Sequence, residues 1–282
     1  MVSKDIPRRY KKIFFKMVLS LIEPLKCAFI LSDYTGFYQN KTVLDLGCGE
    51  GYWTNVLAKK ARNVFALDLS MDSVKLARNN HANYLVGDGG VLPFANNSFD
   101  FIWCEQVLEH IENDKTVLKE IYRILRPTGV VCLGTPCSEG LLKYDFAFSK
   151  MLKKFLPAST RKYFGSLVEG DIYLLTKRGF HVRVGYSESD FQKLCKENNM
   201  KFVKADYSCK SQLYARFFEF GNSLPNTLAI VFLPILELFA IFLLGADKFS
   251  QKDGLIIRCL IQKEETKQNL KESLRGVRNH AI

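Results

Sequence analysis

The sequence contains eight cysteines but no C-x-x-C pair, and no cysteine–histidine run with the spacing of a zinc site. These absences predict a reduced, cytoplasmic protein with neither a disulfide framework nor a metal site. No internal repeat is visible, and no RNA-binding module, so nucleic acid is not expected as a partner. The basic residues Arg8, Arg9, Lys11, Lys12, Lys16 and Lys26 run without a small-residue cleavage pattern, so no secretory signal is expected. Acidic side chains are the scarcer charge, 29 against 40 basic ones in 282 residues, for a net charge of +11 and a pI near 9.2. Such a balance suits nucleic acid, an anionic membrane surface or an anionic substrate, and by itself selects none of them.

What is present centres on one stretch, Val43-Leu44-Asp45-Leu46-Gly47-Cys48-Gly49-Glu50-Gly51-Tyr52-Trp53-Thr54. Its apolar start suits a buried parallel strand. Three glycines at alternate positions follow, letting the backbone bend sharply and a ligand approach it. Residues 54–60 then read as a helix whose N-terminus turns partial positive charge and free N–H groups toward the turn. A second strand over residues 63–68 ends in Asp68, an acid placed to accept hydrogen bonds from a ribose diol. A helix is predicted over residues 70–80, with Ser70 or Asp72 as its N-cap. Further strands are predicted over residues 84–88, 99–104, 130–135, 201–207 and 255–261. A helix over 114–125 buries Val117, Leu118, Ile121 and Ile124, and Arg126-Pro127-Thr128-Gly129 turns the chain after it. The expected class is an α/β protein with a doubly covered sheet.

The motif Asp45-x-Gly47-x-Gly49-x-Gly51 resembles the first motif of class I S-adenosylmethionine (SAM)-dependent methyltransferases. Leu67-Asp68-Leu69-Ser70-Met71 resembles the second. The run from Leu92-Pro93-Phe94 to Ser98-Phe99-Asp100 resembles the family's "LPF…SFD", and Val107-Leu108-Glu109-His110 the "VLEH" of its ubiquinone and menaquinone branch. The resemblance covers residues 41–137 closely and 181–207 with 255–262 more loosely. Thr128 stands where the family has glycine, and Gly185 adds a residue before the aromatic of a helix-initiating motif.

The resemblance implies a Rossmann-like seven-stranded sheet in the order 3-2-1-4-5-7-6 and SAM as cofactor. Asp45, Gly47, Gly49 and Gly51 would shape the methionine end of its site. Asp68 would bind the ribose, Asp88 and Gly89 the adenine, and backbone near Glu105 the ammonium. His110, beyond the fourth strand, is the candidate general base, because imidazole titrates near neutrality; its other reading is a residue that packs the local loop. Tyr52, His181 and Arg183 are candidates to meet the substrate.

Four segments fall outside that core. Residues 1–40 read as a helical lead, and 263–282 as a polar tail. Residues 138–180 form a basic, aromatic-rich lid insertion suited to a phosphate- or carboxylate-bearing substrate, to anionic lipid, or to a small core of its own. The insertion over 208–254 carries an apolar run at 228–245, broken by Pro234 and Glu237. Both flanking strands belong to one sheet, so a single crossing of a bilayer conflicts with the topology, and a carboxylate at mid-bilayer is costly. The expectation is two short helices dipping into or lying on one leaflet, with a buried hairpin or dimer surface as the alternative. The expected function is methyl transfer from SAM to oxygen of a lipid-like or lipid-linked acceptor, in a peripherally or monotopically membrane-associated protein whose sequence is compatible with an oligomer. The alternatives are a soluble small-molecule methyltransferase that dimerises through the insertion, and a non-catalytic SAM-binding membrane adaptor.

Overall fold

The computed structural model describes residues 24–77, 81–139, 182–183, 185–208 and 256–264. Expectations placed on residues 1–23, 140–180, 209–254 and 265–282, including the apolar run, lie outside the described residues. Seven strands make one sheet: β1 (Thr42–Leu46), β2 (Asn63–Asp68), β3 (Asn83–Val86), β4 (Phe99–Glu105), β5 (Leu125–Pro136), β6 (Met200–Ser208) and β7 (Ile256–Lys263). Their order is β3-β2-β1-β4-β5-β7-β6, as the resemblance implied. β1 lies parallel to β2 and β4, with Asp45 level with Ala66 on one side and Trp103 on the other. All five residues of β1 are buried, which explains its unbroken run of Thr42-Val43-Leu44-Asp45-Leu46.

β7 runs against β5. Near its end, Lys263 Nζ donates to Leu125 O, at the start of β5. Near its beginning, Arg258 reaches Glu105, which is level with Gly134 toward the end of β5.

Helices bounded within the described residues are α1 (Thr35–Tyr38), α2 (Tyr52–Leu57), α3 (Met71–Ala77), α4 (Asp114–Ile124) and α5 (Glu188–Glu197). α4 buries Val117, Leu118, Ile121 and Ile124 as their spacing predicts, and Asn113 caps it by accepting from Thr116 N–H. The expected turn at residues 126–129 is instead an irregularity inside β5, which begins at Leu125 directly after α4. Phe99 pairs with Leu125 but Phe101 with Val130, so the intervening residues bulge, with Thr128 at φ +64°.

The "LPF…SFD" run is a structural clamp. Arg123 donates to Leu92 O, Phe94 O and Asn96 Oδ1, while Glu120 accepts from Leu92 N–H. Asp100 closes the run: its Oδ2 accepts from Thr42 N–H and pairs with Arg126 at 2.7 Å.

The chain divides into two compact units. One comprises Ile30–Thr135, Glu188–Asp206 and Arg258–Ile282. Its core packs Trp103, Tyr38, Phe99, Phe101, Leu44 and Ile102, all fully buried. Trp103 packs against Trp53, tilted at 4.9 Å, and Tyr34, edge-on at 5.4 Å between ring centroids. The other comprises Met1–Phe29, Pro136–Ser187 and Tyr207–Ile257. Among its described residues Cys137 and Tyr186 form a parallel bridge, in which Tyr186 N–H donates to Pro136 O and Ser138 N–H to Tyr186 O. Gly185 is the extra residue noted in the sequence. At φ +152° it presses on the Pro136 carbonyl where a Cβ would collide, so the added position is one that only glycine fills without strain. The seven described cysteines are buried thiols; burial pushes those of Cys48, Cys104 and Cys132 up, so they serve as small apolar groups.

Candidate active site

The register sets which residues stand at the carboxyl edge of the sheet. β1 ends at Leu46 beside Leu67, so Asp68 projects one residue further, and Asp45 faces Trp103, so Glu105 likewise extends one residue beyond the end of β1. Ligands of open parallel sheets bind at this edge.

The three glycines of the turn do different work. All have left-handed φ: +78° at Gly47, +51° at Gly49 and +82° at Gly51. A Cβ at Gly47 would collide with the Val107 side chain, and one at Gly51 would meet Tyr84 Oη at 2.9 Å and Ala77. Of the three, Gly49 alone has nothing within 4 Å of that position. Gly47 therefore closes the turn against the segment after β4 and Gly51 against α3 and β3, and Gly49 is the one whose bare backbone faces open space.

The turn's own N–H groups are engaged within the chain. Gly47 and Cys48 donate to Leu67 O, Gly51 to Cys48 O, and Gly49 N–H to Asp68 Oδ2 at 2.8 Å. The chain's own acceptors satisfy these donors because the turn is tied to β2 as well as to α2. Asp68 is the tie, since its Oδ1 also accepts from Ser70 N–H at 2.8 Å. A carboxylate has roughly four lone-pair sites, so these two bonds are compatible with accepting from a ribose diol as well.

Asp45 is buried under the turn, 1% exposed, and accepts from Thr54 Oγ1 at 2.6 Å. Burial raises its carboxyl to about 7, against the opposing hydrogen bond from Thr54 and with help from nearby Asp68 and Glu105. Its visible role is to fasten β1 to α2. Tyr52 sits half-buried at the start of α2. Asp88 holds its own loop through Gly90 N–H at 2.7 Å. Gly89 shows no steric demand for glycine: a Cβ there would meet Leu46 and Val117 at an ordinary contact distance of 3.8 Å.

Glu105 is bound by Arg258 of β7, Nε to Oε2 at 2.9 Å and a terminal nitrogen to Oε1 at 2.5 Å, both side chains buried. Gly134 lets the pair cross β5, because a Cβ there would overlap the Glu105 carboxylate. The chain then turns sharply at Gln106, φ +57°, whose N–H donates to Gly134 O. His110 ends a 3-10 turn, Leu108–His110, and is exposed. The structure therefore gathers Asp45, the glycines, Asp68, Asp88, Gly89, Glu105 and His110 on one unit. Arg183 belongs to the other unit, with its guanidinium 5.1 Å from the Tyr186 ring, and His181 lies outside the described residues.

Two features were not evident from the sequence. Leu69 and Val91 are 75% and 77% exposed beside Asp68 and Asp88, where apolar faces suit a flat base; the signal was a leucine immediately after a strand-ending acid. Glu109, by contrast, is 0% exposed. Burial raises its carboxyl to about 7, partly offset by its own main-chain N–H, with Glu105 adding to the rise.

The sheet order is that of the class I SAM-dependent methyltransferase fold. Residues 44–133 match the family described as "Methyltransferase domain". Over 124 residues the chain is 35% identical to a malonyl-acyl-carrier-protein O-methyltransferase of Pectobacterium atrosepticum, covering 42% of this chain and 49% of the relative. It is 33% identical over 150 residues to a demethylmenaquinone methyltransferase of Lactococcus lactis, covering 49% of this chain and 58% of the relative. The chain thus spans about half the length of the curated relatives it matches. The crystal structure of the cyclase SpnF superposes with a TM-score of 0.54 at 15% identity, covering 85% of this chain and 81% of that one. That likeness concerns the fold alone.

Proposed function

We propose that the protein transfers a methyl group from SAM to oxygen of a lipid-like or lipid-linked acceptor at a membrane surface. The observation carrying the cofactor half is Gly49, whose left-handed backbone faces open space between Asp68 and the start of α2. Asp68 would hold the ribose, Leu69 and Val91 flank the base with Asp88 and Gly89, and the backbone at Glu105 meet the ammonium. SAM, when bound, supplies an electrophilic methyl on a sulfonium, already a good leaving group, so the chain's work is alignment and removal of the acceptor proton.

The acceptor half rests on sequence. Relatives named for an acyl-carrier-protein substrate and for a quinone both point to apolar or carrier-borne acceptors. The apolar run at 228–245 gives such an acceptor a route from a bilayer. Among the described residues no helix is long and apolar enough to cross a membrane, and that run lies outside them. The test incubates protein, SAM with a labelled methyl group and a membrane extract of the source organism. Label in the organic phase is the expected result. Label confined to water-soluble products would favour a soluble small-molecule enzyme, and SAM binding without transfer a non-catalytic adaptor.

A further inference from the structure

We propose that Gln106, Glu109 and Thr135 form the acceptor subsite, and that Glu109 takes the proton of a neutral hydroxyl acceptor; this rests on the methyl-transfer reading above. Gln106 Nε2, both carboxyl oxygens of Glu109 and Thr135 Oγ1 are buried atoms without a well-aligned hydrogen-bond partner. Glu109 and Thr135 are 0% exposed. Folded proteins pair the great majority of such groups, because each orphan forfeits its hydration for nothing. Here three of them collect just past β4 and at the end of β5, the edge where this sheet class receives ligands. Gln106 N–H donates to Gly134 O at 2.7 Å, which sets Gln106 beside Thr135, and the 3-10 turn carries Glu109 three residues on. The other buried orphan beside β4, Trp103 Nε1, lies within the aromatic stack.

The set comprises an amide donor, a carboxyl acceptor and a hydroxyl that can do either. One group satisfies donor and acceptor together: a hydroxyl that gives its proton to Glu109 and accepts from Gln106. An anionic carboxylate does not fit. The Glu105 carboxylate opposes ionisation of Glu109, and Arg258, the guanidinium in reach, is committed bidentately to Glu105. Glu109 is also better placed than His110, which faces outward.

In the step, the acceptor oxygen forms a bond to the methyl carbon as its proton passes to a Glu109 carboxylate oxygen. The carbon–sulfur bond breaks and its electron pair stays on sulfur. One cation and one carboxylate are consumed, giving a methyl ether, a neutral thioether and a carboxylic acid, so charge and atoms balance. Gln106 Nε2 steadies the oxygen as the proton leaves.

The test uses the full chain, SAM carrying a 13C methyl group and the membrane extract, with products read by NMR, which separates ether from ester and carbon-bound methyls. Ether signals are expected. Glu109→Gln should slow their appearance by about 10²–10⁴-fold while SAM affinity stays unchanged. Glu109→Met should also raise the unfolding midpoint, since a group kept for chemistry is a burden on the fold. Ester methyls, carbon-bound methyls, an unslowed Glu109→Gln enzyme, or a lowered midpoint in Glu109→Met would each overturn the subsite while leaving methyl transfer intact. No label from the wild-type protein anywhere would sink the methyl-transfer reading, and the subsite with it.

Discussion

Thr54 Oγ1 donates a 2.6 Å hydrogen bond to the Asp45 carboxyl, joining the first turn of α2 to the middle of β1 beneath the glycine turn. The bond is fully buried, so the carboxyl has no water to replace a lost donor. Thr54→Val keeps the shape and removes the hydroxyl. It is expected to lower stability by about 1–3 kcal/mol, read as a lower urea midpoint with an unchanged denaturant slope. Thr54→Ser should retain most of the wild-type midpoint.

Asp45 also makes stability depend on pH. Its folded carboxyl titrates at about 7, against roughly 3.9 unfolded. Between these values the folded protein holds a proton that the unfolded chain has released, so its contribution is full below pH 4 and is lost as pH rises through 7. Three units correspond to about 4 kcal/mol, an upper figure because unfolded chains are not fully solvated. Glu109, raised to about 7, acts with the same sign. Urea midpoints are therefore expected to fall from pH 5 to pH 8 in the wild type and to fall less in Asp45→Asn, whose amide oxygen still accepts from Thr54.

Much of this was legible in the sequence. Buried-strand runs, the helical stripe of α4 and the glycine turn have short-range signals, and those elements appear within a few residues of expectation. Asp68 was legible as a candidate because it ends a strand. Its second task, holding Gly49 N–H, was not, since the two lie 19 residues apart. Arg258 was equally hidden, because it looks like a charge in an otherwise apolar strand until β7 is placed beside β5 and Glu105 comes within reach across 153 residues. Glu109 was masked by its neighbour: the motif drew the eye to His110, and only burial separates an outward imidazole from an inward carboxyl.

The Glu105–Arg258 pair supports the end of β4 from two strands away. Removing one partner leaves a buried charge uncompensated, so Arg258→Ala should cost about 3–5 kcal/mol. Replacing both, as Glu105→Leu with Arg258→Met, should recover most of the loss, because the interior then holds no charge at this point. Gly134→Ala should fall between wild type and Arg258→Ala, since its methyl would displace the Glu105 carboxylate. Thermal midpoints of the four proteins in one buffer check the order.

Asp68 is expected to act twice in cofactor binding, through a ribose and through the turn. Asp68→Ala removes both bonds to Gly49 and Ser70 and should weaken SAM binding at least tenfold by calorimetry. Asp68→Asn keeps an acceptor for only one of these two N–H groups and loses the charge-assisted bond to a diol, so it should lower the unfolding midpoint less than Asp68→Ala does while still binding SAM less tightly than wild type. Equal affinity in wild type and Asp68→Ala would remove the ribose role.

The membrane assignment has a test that needs no acceptor. The apolar run at 228–245 is interrupted by Pro234 and Glu237, a pattern unfavourable for a straight span and suited to two short segments lodged in one leaflet. Deleting residues 222–245 removes the run while leaving every residue of the SAM site in place. On flotation with anionic vesicles, the full chain is expected in the lipid fraction and the deleted chain at the bottom, with SAM affinity equal in both. High salt should release neither the bulk of the full chain nor its apolar anchor, because burial of hydrocarbon is not screened as charge attraction is. A deleted chain that still floats would place the attachment elsewhere and overturn the role given to this run.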